Sequence, residues 1–234
     1  MRLIGNNAIP GTTNRQTKYM KTHRHIFWDW NGTLVNDTRL CLEILNGQLR
    51  KSGLVQLTMG QYRDRFEFPL RKFYQDIGFD FRSDPFENIS LRFGAEYEQR
   101  RFECSLHKGV RETIRRLSAA GMRHSVLSAY NQELLVGMIA HFGLSGMFDH
   151  IIGPDNTHAD GKIGEGQRLL DILGIPASQV IMIGDTVHDF EVARAIGVDC
   201  VLVACGHHTQ SKLEQCGVPV AKGISEAGML VQRA

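Results

Sequence analysis

The sequence predicts an α/β fold, a doubly wound parallel sheet with an inserted block of helices. Residues 26–28 form an apolar run that ends at Asp29, and residues 180–183 form a second run that ends at Gly184 and Asp185. Parallel strands that are buried on both faces have this composition. After residue 109, short apolar runs alternate with helical patterns, as strands and crossover helices do in a doubly wound sheet.

The composition limits the classes of protein that the chain can belong to. Its 234 residues, of which 42% are hydrophobic, fit one large or two small folded domains. A net charge of +2 gives no electrostatic case for binding nucleic acid or a membrane surface. Five cysteines, an odd number without repeated spacing, favour reduced thiols and a cytoplasmic location. We expect a monomer or a homodimer.

The first segment, residues 1–22, contains lysine and arginine but no acidic side chain. We predict a flexible leader, because the segment lacks the amphipathic pattern of a transit peptide and the apolar run of a signal peptide. The core domain is predicted to comprise residues 23–36 and 108–234. Residues 37–107 are predicted to form a helical cap domain.

The cap segment has helical punctuation and no evident strand. Asp37 is a candidate N-cap, and Gly53 follows the apolar pattern of that helix. Pro69 and Pro85 mark two further helix starts, with Asp84 as the candidate N-cap of the latter.

The core segment alternates regularly between the two kinds of element. Its predicted helices are 110–120, 131–141, 164–173 and 186–196, and its predicted strands are 124–128, 148–153, 180–185 and 200–204. Because the first strand must join this sheet across the cap segment, the cap is an insertion.

Four polar features follow the predicted strands or precede a helix. Asp29 and Asp185 each follow a strand, so in one parallel sheet their carboxylates can converge. Mg²⁺ prefers oxygen ligands and relieves the repulsion between such carboxylates. Ser128 ends another strand and offers a hydroxyl, and Lys162, just before a predicted helix, offers the positive charge that a phosphoryl oxygen needs.

The order of these features resembles the four motifs of the haloacid dehalogenase superfamily. The motifs are Asp-x-Asn-Gly-Thr at 29–33, then Ser128, then Lys162, then Gly-Asp-Thr-x-x-Asp at 184–189. The resemblance extends over residues 25–205. It implies a Rossmann-like core with an α-helical cap, as in the phosphoglycolate phosphatase-like branch, and a Mg²⁺-dependent phosphohydrolase acting on a small phosphorylated metabolite.

The resemblance also implies a role for each matching residue. Asp29 would be the nucleophile, and Asp185 would hold Mg²⁺ together with Asp29 and the main-chain carbonyl of Asn31. Asp189 would be a further ligand, direct or through water, although a carboxylate there also suits the first turn of a helix. The groups that would position the phosphoryl oxygens are Thr33, Ser128 and Lys162.

Asn31 departs from the phosphatase pattern, in which an aspartate at this position protonates the leaving group and then activates water. A neutral amide does neither, and general acid–base catalysis is worth roughly a hundred- to ten-thousand-fold. We therefore expect either acyl and aryl phosphates as substrates or a proton supplied by another residue. The candidate donors are His25, His188, His207 and His208.

Three alternatives stay open at the level of sequence. A phosphonatase-like C–P hydrolase would use Lys51 or Lys72 as a Schiff base, and a catalytically weak phosphate-binding protein would suit Asn31. A zinc site is conceivable, although its ligand spacing matches no established pattern: Cys205, His207, His208 and Cys216. In the cap, Arg65 and Arg71 are candidate contacts for an anionic substrate, or part of a solvated face.

Overall fold

The computed structural model describes residues 23–155 and 161–233, so the predicted leader lies outside the described residues. In chain order the elements are β1 His25–Trp28, β2 Val35–Asn36, α1 Thr38–Lys51, α2 Met59–Arg65, α3 Leu70–Asp76, α4 Phe86–Arg100, β3 Ser105–Leu106, α5 Val110–Ala119, β4 Arg123–Leu127, α6 Gln132–His141, β5 His150–Ile152, α7 Gly161–Leu173, β6 Val180–Gly184, α8 Val187–Ile196, β7 Asp199–Val203, α9 Gln210–Glu214, β8 Val220–Ala221 and α10 Ile224–Arg233.

The core is a six-stranded parallel sheet in the order β5-β4-β1-β6-β7-β8. From β1 the chain proceeds first to one side of the sheet and then to the other, so the strand order switches direction at β1. In open α/β sheets, ligands bind beyond the carboxyl ends of the strands at such a switch point. Asp29 and Asp185 follow the two strands that meet there.

Apolar side chains alternate between the two faces of the sheet, as the period of two in a strand requires. Ile26 and Trp28 belong to the cluster that packs with α5, α6 and α10. Phe27 and Met182 belong to the opposite cluster, which packs with α7 and α8. Helices therefore cover both faces, and the predicted doubly wound fold is confirmed.

The inserted helices α1–α4 have an apolar cluster of their own, which includes Ile44, Leu49, Phe73 and Ile89. The chain enters and leaves this block through β2 and β3, which pair antiparallel with Val35 opposite Leu106. The sequence analysis predicted no strand within residues 37–107, so it was wrong for β3, and it did not identify β2 just before that segment. Two-residue strands carry too little pattern to be recognised from sequence.

Several predicted helix boundaries also need correction. The N-cap of α4 is Pro85 instead of Asp84, whose carboxylate pairs with Arg92. Lys162 lies inside α7, near its start, whereas the sequence placed it just before the helix. Gly53 follows α1 with a φ of +69°, in agreement with the prediction. Among the described helices, none combines the length and the apolar character that crossing a membrane requires.

Candidate active site

Three carboxylates meet at the carboxyl end of β1 and β6. Asp29 follows β1 and is held by a hydrogen bond from its backbone N–H to the carbonyl of Ile183 at 2.9 Å. Asp185 follows β6, and Asp189 lies in the first turn of α8. One oxygen from each carboxylate lies within 4.8 Å of the others. All three side chains are buried, so the predicted convergence is present in the structure.

Lys162 is the cation of this cluster. Its Nζ donates to Asp29 Oδ1 at 2.5 Å and to Asp189 Oδ1 at 2.6 Å. Asp189 also accepts hydrogen bonds through Oδ2 from the backbone N–H groups of Asp185 and Thr186. Asp189 thus joins the lysine to the start of α8, in addition to being a first-turn carboxylate.

The charges of the cluster do not balance. Burial raises the pKa of Asp29 to about 8, with Asp189 and Asp185 adding to the effect and Lys162 opposing it. Burial likewise raises the pKa of Asp185 to about 6. When all three carboxyl groups are ionised, they leave an excess of negative charge over the one ammonium, and a hard divalent cation with oxygen ligands would relieve that excess. The residues present therefore fit Mg²⁺.

Two glycines leave room for the carboxylate of Asp185, and a threonine donates a hydrogen bond to it. A Cβ on Gly32, whose φ is +76°, would lie 2.3 Å from Asp185 Oδ2, and a Cβ on Gly206 would lie 2.1 Å from the same atom. Thr33 Oγ1 donates to Asp185 Oδ1 at 2.7 Å. The resemblance implied that Thr33 positions the phosphoryl oxygens, but in the structure its hydroxyl donates to Asp185.

Asp37 is a site residue that the sequence analysis missed. Its carboxylate caps no helical N–H and turns back toward the site. Asp37 Oδ2 accepts from Asn31 Nδ2 at 2.7 Å, and Oδ1 accepts from the Gly32 N–H at 2.9 Å. Tyr97 Oη donates to Asp37 Oδ2 at 2.9 Å. The amide of Asn31 is thus fixed by a buried carboxylate, and the available signal was a second acid four residues after the Asp-x-Asn-Gly-Thr motif.

His207 connects this carboxylate to the rest of the site. Its Nε2 lies 3.2 Å from Asp37 Oδ1, its Nδ1 lies 2.9 Å from Tyr62 Oη, and its backbone N–H donates to Asp185 Oδ2 at 2.6 Å. Burial lowers the pKa of His207, but Asp37, Asp185 and Asp29 together outweigh burial and raise it to about 9. Among the four candidate proton donors, His207 is the one that contacts the carboxylate cluster.

The other three histidines have different surroundings. His188 lines the cavity described below, against the ring of Phe68. His208 Nδ1 accepts from the N–H of Val187. His25 bonds to Ser125 Oγ at the opposite end of β1. Over residues 23–155 and 161–233, the candidate metal-binding groups are the Asp29 cluster and one formed by Asp37, Cys41 and His207, so the four-residue zinc site is not assembled.

A cavity of about 340 Å³ lies between the carboxylates and the inserted helices. Ser128 lines it, and Ser128 Oγ accepts from the N–H of Tyr130 at 3.1 Å. Neither Arg65 nor Arg71 lines it. Both are exposed, and Arg71 pairs with Glu87.

The two cap lysines also lie outside the cavity. Lys51 is exposed at the end of α1, and exposed Lys72 pairs with Asp76 at 2.9 Å and with Glu67. The structure thus brings together Asp29, Asn31, Ser128, Lys162, Asp185 and Asp189, with Thr33 behind them.

Comparisons with known proteins identify the family of the chain. The family model described as haloacid dehalogenase-like hydrolase matches residues 26–203. A phosphoglycolate phosphatase of Pseudomonas savastanoi is 28% identical over 118 residues, 50% of this chain and 43% of that protein. The chain therefore matches less than half the length of that relative.

Solved structures give the same fold over most of the chain. A predicted phosphatase from Clostridium acetobutylicum superposes with a TM-score of 0.75 at 17% identity, covering 91% of this chain and 99% of that one. A predicted phosphoglycolate phosphatase from Haemophilus somnus superposes with a TM-score of 0.73 at 19% identity, covering 92% and 100%. The family match, the fold and the convergent carboxylates lead to one conclusion: this chain belongs to the haloacid dehalogenase-like hydrolases.

Proposed function

We propose that the chain is a Mg²⁺-dependent phosphohydrolase that cleaves a small phosphorylated substrate through an aspartyl phosphate at Asp29. One observation supports the proposal most directly. Asp29 is a buried carboxylate at the carboxyl end of β1, its Oδ1 lies 2.5 Å from Lys162 Nζ, and it is clustered with Asp185 and Asp189. The phosphatase relatives support the same reaction class.

The residues have distinct tasks in this reaction. Asp29, Asp185, Asp189 and the main-chain carbonyl of Asn31 would hold Mg²⁺, which when bound supplies positive charge to the phosphoryl group. Asp29 attacks phosphorus, and the bond from phosphorus to the leaving-group oxygen breaks with its electron pair on that oxygen. Water then releases phosphate from Asp29. Lys162 and Ser128 line the cavity where the phosphoryl oxygens would lie.

The leaving group must depart without a proton from residue 31. The Asn31 amide donates to Asp37 and Tyr97, at 2.7 and 2.8 Å, and has no acidic proton to give. We propose that the enzyme therefore acts on phosphates with good leaving groups. We also propose a cytoplasmic location and no nucleic-acid or membrane partner, in line with the net charge of +2.

The two rival functions have less support. A phosphonatase needs a lysine at the substrate, and Lys51 and Lys72 both lie outside the cavity. A phosphate-binding protein without turnover would suit Asn31, but it gives no account of the nucleophile position of Asp29 beside Lys162.

A phosphatase assay with Mg²⁺ on the purified full chain tests the proposal, using acetyl phosphate, 4-nitrophenyl phosphate and phosphonoacetaldehyde. We expect hydrolysis of the first two, loss of activity in EDTA, and loss in Asp29→Ala and Asp29→Asn. Asp171→Asn, an exposed carboxylate on α7, is the matched control and should retain activity. Activity of Asp29→Ala near that of the unsubstituted chain would refute the mechanism, and turnover of phosphonoacetaldehyde that depends on Lys51 or Lys72 would favour the phosphonatase.

A further inference from the structure

The walls of the cavity are aromatic. On one side Tyr62, Phe66 and Phe73 pack together, with ring centroids of Phe66 5.3 Å from those of Tyr62 and Phe73. The other wall begins with Phe93, which stacks on Tyr97 at 6.4 Å with an interplanar angle of 11°.

Tyr130, from the loop after β4, completes the second wall, since its ring meets that of Tyr97 edge-on at 5.8 Å. The mouth is also apolar, because Phe68 and Leu70 line it and are 39% and 36% exposed. Nothing in the cap segment of the sequence distinguishes these rings from ordinary core residues.

The hydroxyl groups of the three tyrosines in these walls are already engaged by the protein. Tyr62 Oη bonds to His207, Tyr97 Oη donates to Asp37, and Tyr130 Oη donates to Glu98. The surface that these residues offer to a ligand is therefore the carbon surface of their rings. Aromatic rings make favourable stacked or edge-to-face contacts with a further ring.

The same cavity has no free cation among the described residues. Three basic side chains line it, and each faces a partner in the protein. Lys162 is bound by Asp29 and Asp189, and His207, whose pKa is raised, is bound by Asp37 and Tyr62. His188 lies 3.7 Å from Glu191. Arg63 donates instead to the carbonyl of Cys205 at 3.0 Å. A carboxylate on the leaving group would thus be buried against apolar rings, with Asp37 and Glu98 nearby, and burying an unpaired charge is costly.

We propose that the leaving group is a small phenol without a charged substituent, so that the substrates are aryl phosphate monoesters. The inference rests on the proposed function and deepens it, since it assigns the substrate class of the same site. A volume of about 340 Å³ is at the small end of ligand sites and limits the leaving group to a small ring system. A phenolate also departs without a proton donor, which agrees with Asn31.

Binding measured by calorimetry on the full chain with Mg²⁺ tests the class without depending on turnover. The probes are inorganic phosphate, benzylphosphonate, cyclohexylmethylphosphonate and phosphonoacetate, which differ in ring aromaticity and charge. We expect benzylphosphonate to bind about tenfold more tightly than the other phosphonates. Equal or tighter binding of cyclohexylmethylphosphonate or phosphonoacetate would overturn the inference while leaving the proposed function intact. If neither phosphate nor any phosphonate binds, both are wrong.

A variant that fills the cavity adds a kinetic test. Gly94 lines the cavity from α4, and a Cβ there would meet no atom within 4 Å. We expect Gly94→Leu to lower kcat/KM for phenyl phosphate about tenfold more than for acetyl phosphate, because the leucine occupies space that the ring needs.

The matched control for this test is Gly137→Leu, at an exposed glycine in α6 that is equally unobstructed. It should change neither rate. A uniform effect of Gly94→Leu on both substrates would contradict the inference, and the absence of hydrolysis of either substrate by the unsubstituted chain would instead refute the proposed function.

Discussion

Replacing Asn31 with aspartate tests the central departure from the family pattern. Asn31 Nδ2 donates to Asp37 Oδ2 and to Tyr97 Oη. A carboxylate donates neither hydrogen bond and adds a negative charge beside Asp37, which is 1% exposed. Loss of one bond to a charged group and one to a neutral group lowers the free energy of unfolding by about 3 kcal/mol. This loss applies where both carboxylates are ionised, and it should shrink toward lower pH, where the pair takes up one proton because like charges at this distance do not readily both ionise.

A double variant separates this effect from general damage. Asn31→Asp combined with Asp37→Asn exchanges the two groups, so that the amide of residue 37 donates to the carboxylate of residue 31 and the net charge is unchanged. We expect the free energy of unfolding to return to within about 1 kcal/mol of the original. Urea denaturation of the four proteins, without metal, measures the coupling. If Asn31→Asp alone is as stable as the unsubstituted chain, the described contact with Asp37 is wrong.

The kinetic consequence is measured by plotting log kcat/KM against leaving-group pKa for a series of phosphates. The unsubstituted enzyme should show a steep negative slope, because it supplies no proton from residue 31. Asn31→Asp should flatten the slope and raise the rates on alkyl esters by about a hundredfold or more. A slope that is already flat, with alkyl esters unimproved by the substitution, would mean that another residue supplies the proton or that chemistry is not rate-limiting.

Four further predictions concern charge, pH and the leader. Mg²⁺ should raise Tm in scanning fluorimetry. Asp185→Asn should remove most of this rise, because the substitution removes a proposed ligand of the ion. An equal rise of Tm in the variant would contradict the proposed metal site. Lys162→Met should lower the metal-free unfolding free energy by about 3–5 kcal/mol, since it leaves buried carboxylates unpaired, and urea denaturation measures this. Burial lowers the pKa of His124 from 6.5 to about 4, and Trp28 Nε1 donates to its Nδ1. The native state therefore binds fewer protons at His124 than the unfolded state does. The stability that neutral His124 contributes is present above pH 6.5 and is lost toward pH 4, at a slope approaching about 1.4 kcal/mol per pH unit. Urea denaturation at a series of pH values should show a shallower pH dependence for His124→Gln. Deletion of the residues before Met20 should leave Tm and activity unchanged, as a thermal melt and the phosphatase assay would show.

The sheet and the carboxylates were predictable because their signals are local. The strand residues 26–28 and 180–183 are apolar; Asp29 follows the first run directly, and Asp185 follows the second after Gly184. Parallel pairing brings such strand ends together whatever lies between them. The Asn31 departure was visible for the same reason, since it depends only on position within a short motif.

The features that the sequence did not reveal depend on which way a side chain turns after folding. Asp37 begins a helix, as predicted, yet its carboxylate bonds to Asn31 instead of capping the helix. Arg71 occupies the expected helix, but it faces Glu87 and the rings of Phe81 and Phe86. The sequence shows that such side chains are present in a segment. The direction in which each one points depends on contacts between distant parts of the chain.

The contact between Tyr62 and His207 links the position of the inserted helices to the position of Asp185. Tyr62 belongs to the inserted helices, whereas the backbone N–H of His207 donates to Asp185, so His207 touches both an inserted helix and a proposed metal ligand. If the inserted helices move away from the core, the Tyr62–His207 contact is broken at the residue whose backbone N–H holds Asp185. If the cation binds more tightly when the cavity is closed, linkage requires that the bound cation stabilise the closed form by the same free energy. The metal concentration would in that case set the fraction of molecules whose cavity is closed as well as the rate of the reaction.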